Sequence, residues 1–364
     1  MKQIIVVFYC LVFYTAGSFA QYPQVNIPGS EVRTITSSIV SGQEYELQIL
    51  LPGGHARSNK KYPVVYLMDS QWDFPLLKSL YGQHYYDGFI PEMIIVGVTW
   101  GGKNPNPDSL RARDYTPTNE TRIPQSGGAD KFLDFMKSEL FPFIENNYKA
   151  DPGNRTLMGC SLGGLITLYA MFTHTEMFNG YAAASPAIGW DREVLFNYEK
   201  VFAERKAGKP VRCYMTIGDV ERSRPGFEKF AALVASRKYP SVNIRSKVLE
   251  NTGHSGTKTE TFGRGLQYIF EKPKLNLDDS LLNSYTGIYQ AGNGNNVEVR
   301  KQDNMLIVYF SATNNFPMYA ATEKRFYSTA EFMNIFFDIE SQMQATMTLE
   351  RYGSSQIFKK IANK

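Results

Sequence analysis

One stretch of the sequence decides the fold, and it reads Thr156-Leu157-Met158-Gly159-Cys160-Ser161-Leu162-Gly163-Gly164. Its centre, Gly159–Gly163, fits the pattern G-x-S-x-G, follows a short strand-like run and precedes the helical run Leu162–Phe172. Strand, sharp turn and helix in that order are typical of a nucleophile elbow, in which the flanking glycines leave room for a strained serine backbone. The stretch therefore predicts a nucleophilic serine, Ser161.

On both sides of this stretch, from Glu31 to about Lys272, strand-like runs alternate with amphipathic helical runs. The predicted strands are Val32–Val40, Tyr45–Leu51, Val64–Met68, Met93–Thr99, Thr156–Cys160, Gly180–Ala184, Val211–Ile217 and Val242–Leu249. The predicted helices are Pro75–Tyr86, Gly128–Asn147, Leu162–Phe172, Arg192–Ala207, Pro225–Arg237 and Thr259–Phe270. Continuously apolar strands are typical of a parallel sheet that is buried on both faces, whereas the gap Ser41–Gln43 favours an antiparallel hairpin. We predict an α/β fold, with a mostly parallel eight-stranded sheet and helices on both faces.

The pattern changes near residue 273, after which short strand-like runs are separated by Gly, Asn, Asp and Ser turns. One short helix is expected at Asp279–Ser284. The predicted strands are Asn296–Lys301, Met305–Phe310, Met318–Ala321, Arg325–Ser328, Met333–Ile339, Ala345–Leu349 and Gln356–Lys360. Such spacing indicates an antiparallel meander, sandwich or small barrel. We therefore predict two domains, residues 21–272 and residues 273–364.

The composition excludes two large classes of protein. Hydrophobic residues make up 43% and charged residues 20% of the 364 residues, which excludes an intrinsically disordered chain. The 39 basic and 35 acidic side chains are mixed along the chain, so no basic block marks a nucleic-acid partner.

The first twenty residues have the pattern of a secretory signal peptide. Lys2 precedes an apolar run, Ile4–Tyr14, and the small-residue segment Ala16–Ala20 follows it. We predict cleavage after Ala20, export to the periplasm or medium, and no membrane association once the signal is removed. The mature chain keeps Cys160 and Cys213, which we expect to be small buried side chains rather than a disulfide scaffold.

A serine hydroxyl needs a base to take its proton, and the position of one histidine fits that role. In a fold of this type the nucleophile precedes the acid, and the histidine follows the last strand. Among the four histidines only His254, directly after the run Val242–Leu249, meets that order. The acid is expected after the preceding strand, where Asp219 and Glu221 both stand. The spacing does not choose between them.

The negative charge that develops during acyl transfer needs two backbone N–H donors. One is expected from Leu162, which follows the nucleophile. The other is expected from the loop after the third strand, at Ser70 or Gln71.

The three tryptophans all follow predicted parallel strands at their carboxyl ends. Trp72, Trp100 and Trp190 therefore lie at the edge where open α/β sheets bind ligands. We predict that they form an aromatic wall of the substrate pocket, with rim packing as the alternative for each. The long stretch Gly101–Gly128 is predicted to lack regular secondary structure, and its Arg113 either holds that loop or contacts a polar substrate.

Several motifs together resemble those of the Putative esterase family of α/β-hydrolases over residues 30–272. They are Tyr62–Asp69, Arg113–Pro117, Gly159–Gly164, Ala183–Pro186 and Gly253–Ser255. The resemblance is strongest to the periplasmic, enterobactin-type siderophore esterases, and feruloyl esterases and S-formylglutathione hydrolase are more distant. It implies that Ser161 is the nucleophile and His254 the base.

The resemblance also bears on the acid and on the second domain. Relatives with a G-x-x-E stretch after the seventh strand have their glutamate where Glu221 stands, which favours Glu221 over Asp219. Some siderophore-esterase relatives act with a Ser-His dyad, so the acid stays open. The segment Leu282–Tyr289 resembles part of a β-rich accessory domain that is appended to bacterial hydrolases.

These observations predict a serine carboxylic-ester hydrolase that acts through an acyl-enzyme and implies no metal or organic cofactor. The expected substrate is a small or medium ester, namely a siderophore lactone, a feruloyl ester or an acetyl-sugar ester. Two alternatives remain at this point. The same site would serve an acyltransferase, and a vestigial site would leave a module that binds glycans or siderophores. The oligomeric state stays open.

Overall fold

The computed structural model describes residues 26–205, 208–341, 344–352 and 354–362. The predicted signal peptide, residues 1–20, lies outside the described residues. Among the described residues, no helix has both the length and the apolar character needed to span a membrane. Strands of this part of the chain form two separate sheets, one open and one closed.

The open sheet has eight strands, as predicted. They are β1 (Ser30–Thr36), β2 (Glu44–Leu50), β3 (Tyr62–Leu67), β4 (Ile94–Trp100), β5 (Ala150–Cys160), β6 (Gly180–Ala184), β7 (Val211–Gly218) and β8 (Val242–Leu249). Their order is β1-β2-β4-β3-β5-β6-β7-β8. β2 pairs antiparallel with β1 and with β4, and every pair from β4 to β8 is parallel. The predicted hydrolase-type sheet is confirmed.

Helices cover both faces of this sheet. They are α1 (Ser70–Tyr86), α2 (Pro107–Tyr115), α3 (Ala129–Phe135), α4 (Phe141–Asn147), α5 (Leu162–Thr173), α6 (Leu195–Ala203), α7 (Arg224–Arg237) and α8 (Thr257–Ile269). Alternate residues of β3 enter different cores: Val65 packs with the residues of α1 and α8, and Tyr66 packs with those of α3 to α7. This alternation is the two-residue period of a strand that is buried on both sides.

Some boundaries differ from the prediction. The stretch Gly101–Gly128 is not without regular structure, because it contains α2. The Asn106 side chain accepts a hydrogen bond from the Ser109 N–H at 3.1 Å, and Pro107 follows it directly, which is a helix start that the Pro- and Asn-rich composition concealed. A π turn, Met136–Leu140, divides the single helix predicted over Gly128–Asn147.

The C-terminal strands form a closed antiparallel barrel. After α9 (Asp279–Ser284) come β9 (Gly287–Ala291), β10 (Asn296–Gln302), β11 (Met305–Tyr309), β12 (Asn315–Ala320), β13 (Arg325–Tyr327), β14 (Met333–Ser341), β15 (Gln344–Arg351) and β16 (Ser354–Ala362). The prediction missed β9, which pairs with both β10 and β16 and so closes the barrel. Alternate side chains fill the interior, Val297 and Val299 of β10 among them, so the barrel encloses a packed core.

Aromatic contacts join the barrel to the end of α1. The rings of Tyr86 and Tyr352 stack with their centroids 5.0 Å apart, and those of Tyr85 and Phe332 also lie 5.0 Å apart. The Phe332 N–H donates to the Tyr86 carbonyl at 3.2 Å. The described contacts therefore seat the barrel against the hydrolase-type sheet at the α1 end.

Candidate active site

Ser161 has the backbone that a nucleophile elbow requires. Its φ of 60° and ψ of −116°, between β5 and α5, lie in a region that residues with a side chain rarely adopt. A Cβ on Gly159 would lie 2.5 Å from the Gly163 carbonyl carbon, and a Cβ on Gly163 would lie 3.0 Å from Asp69 Oδ2. The two glycines therefore allow the tight approach of strand and helix that turns Ser161 outward.

Backbone hydrogen bonds tie this elbow to the segment after β6. The Ser161 N–H donates to the Ala184 carbonyl at 3.0 Å, and the Ser161 carbonyl accepts from the Ala187 N–H at 3.1 Å. Ser185, between these two partners, has a positive φ of 40° and is buried. The serine elbow and the Ser185 turn are thus one connected structure.

The His254 imidazole is paired with Glu221. His254 Nδ1 lies 2.7 Å from Glu221 Oε2. The other carboxylate oxygen, Oε1, accepts from the Ser185 hydroxyl at 2.6 Å and from the Gly218 N–H at 2.8 Å. Burial raises the pKa of Glu221, but the hydrogen bonds from Ser185, His254 and Gly218 outweigh it and hold that pKa below its ordinary value. Glu221 is therefore an ionised acceptor for the imidazole Nδ1–H.

Asp219 has a different contact. Its carboxylate accepts from the Thr252 N–H at 3.1 Å, two residues before His254. Hydrogen bonds from the N–H groups of Thr252 and Asn251 hold the pKa of Asp219 below its ordinary value. Of the two carboxylates predicted as candidates, the structure brings Glu221 to the imidazole and leaves Asp219 to hold the loop.

Two hydroxyl residues of this network were missed from the sequence. The Ser185 hydroxyl lies 2.8 Å from Thr257 Oγ1, and Thr257 donates to the His254 carbonyl at 2.8 Å. Ser185, Glu221 and His254 therefore belong to one hydrogen-bonded cluster, and the Ser185 turn binds the elbow of Ser161. The sequence signal was the Ser185-Pro186 pair directly after a strand, which had no role assigned to it.

Two helix N-termini meet beside the serine. Leu162 is the first residue of α5, and Ser70 and Gln71 are the first two of α1. First-turn N–H groups have no partner within their helix and carry the positive end of the helix dipole. Asp69 precedes α1 in the left-handed region, with φ 55°, and its carboxylate faces Gly163 of α5. The donors predicted for an oxyanion hole thus lie at two adjoining helix starts.

Arg111, to which the sequence assigned no role, braces this pair of helix starts. Its guanidinium donates to both Asp69 oxygens, at 3.0 and 2.8 Å, and approaches the Cys160 carbonyl at 3.5 Å. Burial raises the pKa of Asp69, and the Arg111 guanidinium offsets that rise only in part. Arg113 instead pairs with Asp114 at 2.7 Å, which favours the structural alternative over a substrate contact.

The three tryptophans differ in exposure. Trp72 is 51% exposed, and the Arg111 guanidinium lies 5.6 Å from its ring centroid. Trp190 is half-buried and donates to the Thr118 hydroxyl at 3.2 Å. Trp100 is buried, and its N–H donates to Asp114 at 2.7 Å. The burial of Trp100 and the use of its N–H inside the core favour the rim-packing alternative over the predicted pocket role.

Unpaired polar atoms mark the start of α1. Ser70 Oγ and both amide atoms of Gln71 are buried without a hydrogen-bond partner in the described part of the chain. Buried polar atoms normally have partners, so these atoms are exceptions at the start of α1.

Neither the cysteines nor the acidic residues form a metal site among the described residues, where no group of three or more His, Cys, Asp and Glu side chains is arranged to hold an ion. Cys160 and Cys213 are free and buried, as expected. Burial raises the pKa of the Cys160 thiol to about 12, so it stays protonated at neutral pH.

The role of Trp100 is tested by Trp100→Phe, which removes the N–H donor to the buried Asp114 and keeps the ring. We expect the free energy of unfolding in urea to fall by about 1–3 kcal/mol, the cost of losing a hydrogen bond to a charged buried group. Trp190→Phe is the matched control and should cost less, because its partner is a neutral hydroxyl. Unchanged stability of Trp100→Phe together with weaker substrate binding would instead make Trp100 a pocket residue.

Sequence comparison matches residues 37–257 to the family described as Putative esterase. Ferri-bacillibactin esterase BesA of Bacillus subtilis is 30% identical over 211 residues, which are 54% of this chain and 72% of that protein. The siderophore triacetylfusarinine C esterase of Aspergillus fumigatus is 28% identical over 188 residues, 50% of this chain and 64% of that protein.

Comparison with solved structures finds further proteins with this fold. The BES protein from Bacillus cereus superposes with a TM-score of 0.62 at 26% identity and covers 68% of this chain and 97% of its own. An IroE-like serine hydrolase from Shewanella oneidensis has a TM-score of 0.59 at 26% identity and covers 66% of this chain and 80% of its own.

Proposed function

The chain belongs to the Putative esterase family of α/β-hydrolases and is a carboxylic ester hydrolase, and from that premise we propose that it cleaves siderophore esters with Ser161, His254 and Glu221. The observation that carries the catalytic assignment is the pairing of His254 Nδ1 with Glu221 Oε2 at 2.7 Å, in a cluster bonded to the strained Ser161 elbow. The siderophore ester is proposed from the relatives named above, which are esterases of that class by name.

In the proposed acylation step, the Ser161 hydroxyl attacks the ester carbonyl and His254 takes its proton. The carbonyl oxygen becomes an oxyanion, which accepts hydrogen bonds from the N–H groups of Leu162 and of Ser70 or Gln71. Collapse of the intermediate breaks the ester C–O bond, and the imidazolium gives its proton to the departing alkoxide. Water, activated by the same imidazole, then hydrolyses the acyl-Ser161 ester and restores the serine.

Glu221 serves this cycle by holding one tautomer of the imidazole and by stabilising the imidazolium. Its second oxygen is held by Ser185 and the Gly218 N–H, so the carboxylate cannot rotate away without losing two further hydrogen bonds. With Nδ1 engaged, Nε2 is the nitrogen left to face the serine.

The surroundings of the serine support a substrate with an aromatic part and several polar atoms. The half-exposed Trp72 offers a ring face, and the adjacent Gln71 offers an unpaired amide donor and acceptor. Burying an unpaired amide costs free energy that a ligand's polar groups recover, so these side chains favour a polar ester over a plain fatty-acyl one. We further propose that the protein acts after export, since its first twenty residues have a signal-peptide pattern.

Ser161→Ala tests the activity and the nucleophile together. We expect wild type to hydrolyse a catecholate trilactone, with kcat falling by about 10⁴-fold or more in Ser161→Ala. A fluorophosphonate probe should label wild type and Ser236→Ala, a serine on the exposed side of α7, but not Ser161→Ala. Equal labelling of all three would remove Ser161 from the mechanism. If the probe labels wild type, and wild type cleaves feruloyl or acetyl-sugar esters but not the trilactone, the proposed substrate is wrong and the proposed nucleophile stands.

Glu221→Gln and Asp219→Asn separate the two acidic residues. Glu221→Gln should lower kcat by about 10²- to 10⁴-fold. The glutamine NH2 group and the imidazole Nδ1–H are both donors, so the amide disfavours the tautomer that carries its proton on Nδ1. Asp219→Asn keeps an oxygen that can accept from Thr252 N–H and should leave kcat within a few-fold of wild type. The measurement is the steady-state kcat of both variants on one soluble ester. Near-normal kcat in Glu221→Gln would indicate a Ser-His dyad.

The low pKa of Glu221 makes a prediction for the pH profile. A depressed carboxyl pKa means that Glu221 stays ionised as the pH falls toward 5, so its protonation adds nothing to a loss of activity in that range. We therefore expect log(kcat/KM) to fall toward acid with a limiting slope of one. A slope of two in that range would show the carboxylate titrating with the imidazole, and a flat profile would remove the histidine base.

A further inference from the structure

A cavity lies at the junction of the hydrolase-type sheet and the barrel, with a volume of about 600 Å³. The sheet side contributes Arg212 of β7 and Arg245 of β8, and α8 contributes Arg264. The connecting segment Lys272–Lys274 and the barrel residue Tyr327 form the other side. Its volume falls in the range of pockets that hold small organic ligands, and junctions between domains are where such pockets are frequent.

The charge of this cavity is strongly one-sided. Its lining contains five basic residues, Arg212, Arg245, Arg264, Lys272 and Lys274, and one acidic residue, Glu271. The whole chain, by contrast, has 39 basic and 35 acidic residues. Like charges gathered in a cleft repel one another and focus a positive field, which favours an anion in the cleft.

Arg212 already has a structural partner. Its guanidinium donates to the carbonyls of Tyr268 and Glu271 at 3.0 and 2.7 Å, at the C-terminal end of α8. This contact satisfies the free carbonyls of a helix end and explains that residue without a ligand.

The other four cations lack a carboxylate within ion-pair distance among the described residues. The Arg245 guanidinium lies 4.2 Å from the Tyr268 ring centroid, and Arg264 donates to the neutral Gln267 amide at 2.8 Å. Lys272 donates to Asn334 at 3.2 Å, and Lys274 Nζ lies 3.9 Å from the Tyr319 ring centroid.

The acidic residues nearby do not neutralise this group. Glu271 lines the cavity but makes no ion pair with these cations, and Glu260 is paired with Lys247 at 2.9 Å. Burial lowers the pKa of Lys272, and the charge of Glu350 offsets that shift only in part. The charged ammonium is therefore poorly solvated in this place, and a bound anion would stabilise it.

The cavity is separate from the proposed ester site. Arg212 stands at the start of β7, whereas Glu221 follows the far end of that strand. Six residues of strand, at about 3.3 Å each, place roughly 20 Å between the two ends. The cavity therefore opens at the amino ends of β7 and β8, away from Ser161.

We propose that this cavity binds a small organic polyanion that carries at least two phosphate, sulfate or carboxylate groups. Two guanidinium groups, Arg245 and Arg264, supply planar forks that match such groups, and Lys272 and Lys274 supply point charges in the same lining. Because the lining comes from α8, the connecting segment and the barrel, the bound anion holds the barrel and the hydrolase-type domain together.

The test is calorimetric titration of the purified full mature protein at low salt with four probes. Citrate, inorganic phosphate and sucrose octasulfate distinguish carboxylate, phosphate and sulfate groups, and sucrose is the neutral control. We expect one organic polyanion to bind saturably with 1:1 stoichiometry and to raise the Tm. The double variant Arg245→Gln/Arg264→Gln should weaken that binding at least about tenfold, because two charge-assisted contacts are lost.

Control variants separate a loss of anion binding from a loss of folding and from a general change of charge. Arg245 and Arg264 are exposed, so the double variant should fold, and its Tm without ligand checks this. Arg33→Gln removes one positive charge from β1, at the opposite edge of the sheet, and should bind like wild type. Ser161→Ala should also bind normally, whatever the outcome for ester hydrolysis. No saturable binding of citrate or sucrose octasulfate up to about 10 mM, with or without binding of inorganic phosphate, or equal binding by the double variant, overturns the proposal.

Discussion

The backbone of Ser161 is the constraint on which the rest of the hydrolase-type domain depends. Its strained φ of 60° occurs at the tight turn where strand β5 and helix α5 approach closely. That approach requires residues without a Cβ at positions 159 and 163, which are both glycine. The same tight turn starts α5 beside the start of α1 and presents the Ser161 N–H and carbonyl to the segment after β6. The strain at one residue therefore brings three loops of the sheet's carboxyl edge to one place.

Two pairs of ionisable side chains lie on either side of this turn. Behind it, Arg111 and Asp69 form a bidentate pair that is almost removed from solvent, with side-chain exposures of 15% and 2%. In front of it, Glu221 is buried under the half-exposed His254 and is held by neutral donors. A buried carboxylate that has a full set of donors keeps its charge and its orientation, which are the two properties that an acid partner of an imidazole needs. The first pair braces the helix starts, and the second orients the His254 imidazole.

Several features of this site could be predicted from the sequence, and particular residues show why others could not. Ser161 has a local signature, because strand, turn and helix are encoded within nine neighbouring residues. His254 followed from chain order. Asp219 and Glu221 lie two residues apart in the turn after β7. Which of the two carboxylates reaches the imidazole depends on the path of the backbone through that turn, and the sequence does not reveal that path. Arg111 and Arg113 lie on one helix, α2, which the sequence was expected to leave as a loop, so their different directions could not be anticipated.

The barrel shows the same division at the scale of a domain. Alternating apolar residues and polar turns indicated an antiparallel β domain, since the two-residue period is a local property. Closure depended on β9, whose five residues pair with β10 and with β16 at the other end of the domain. By itself the sequence determined the alternation of strands and helices around the large sheet and marked Ser161 and His254 as the candidate nucleophile and base, because each is encoded in local pattern or in chain order. Only the tertiary structure decided the partner of the histidine, the burial of Trp100 and the cation-lined cavity at the domain junction, because each depends on distances between segments that are far apart in the chain.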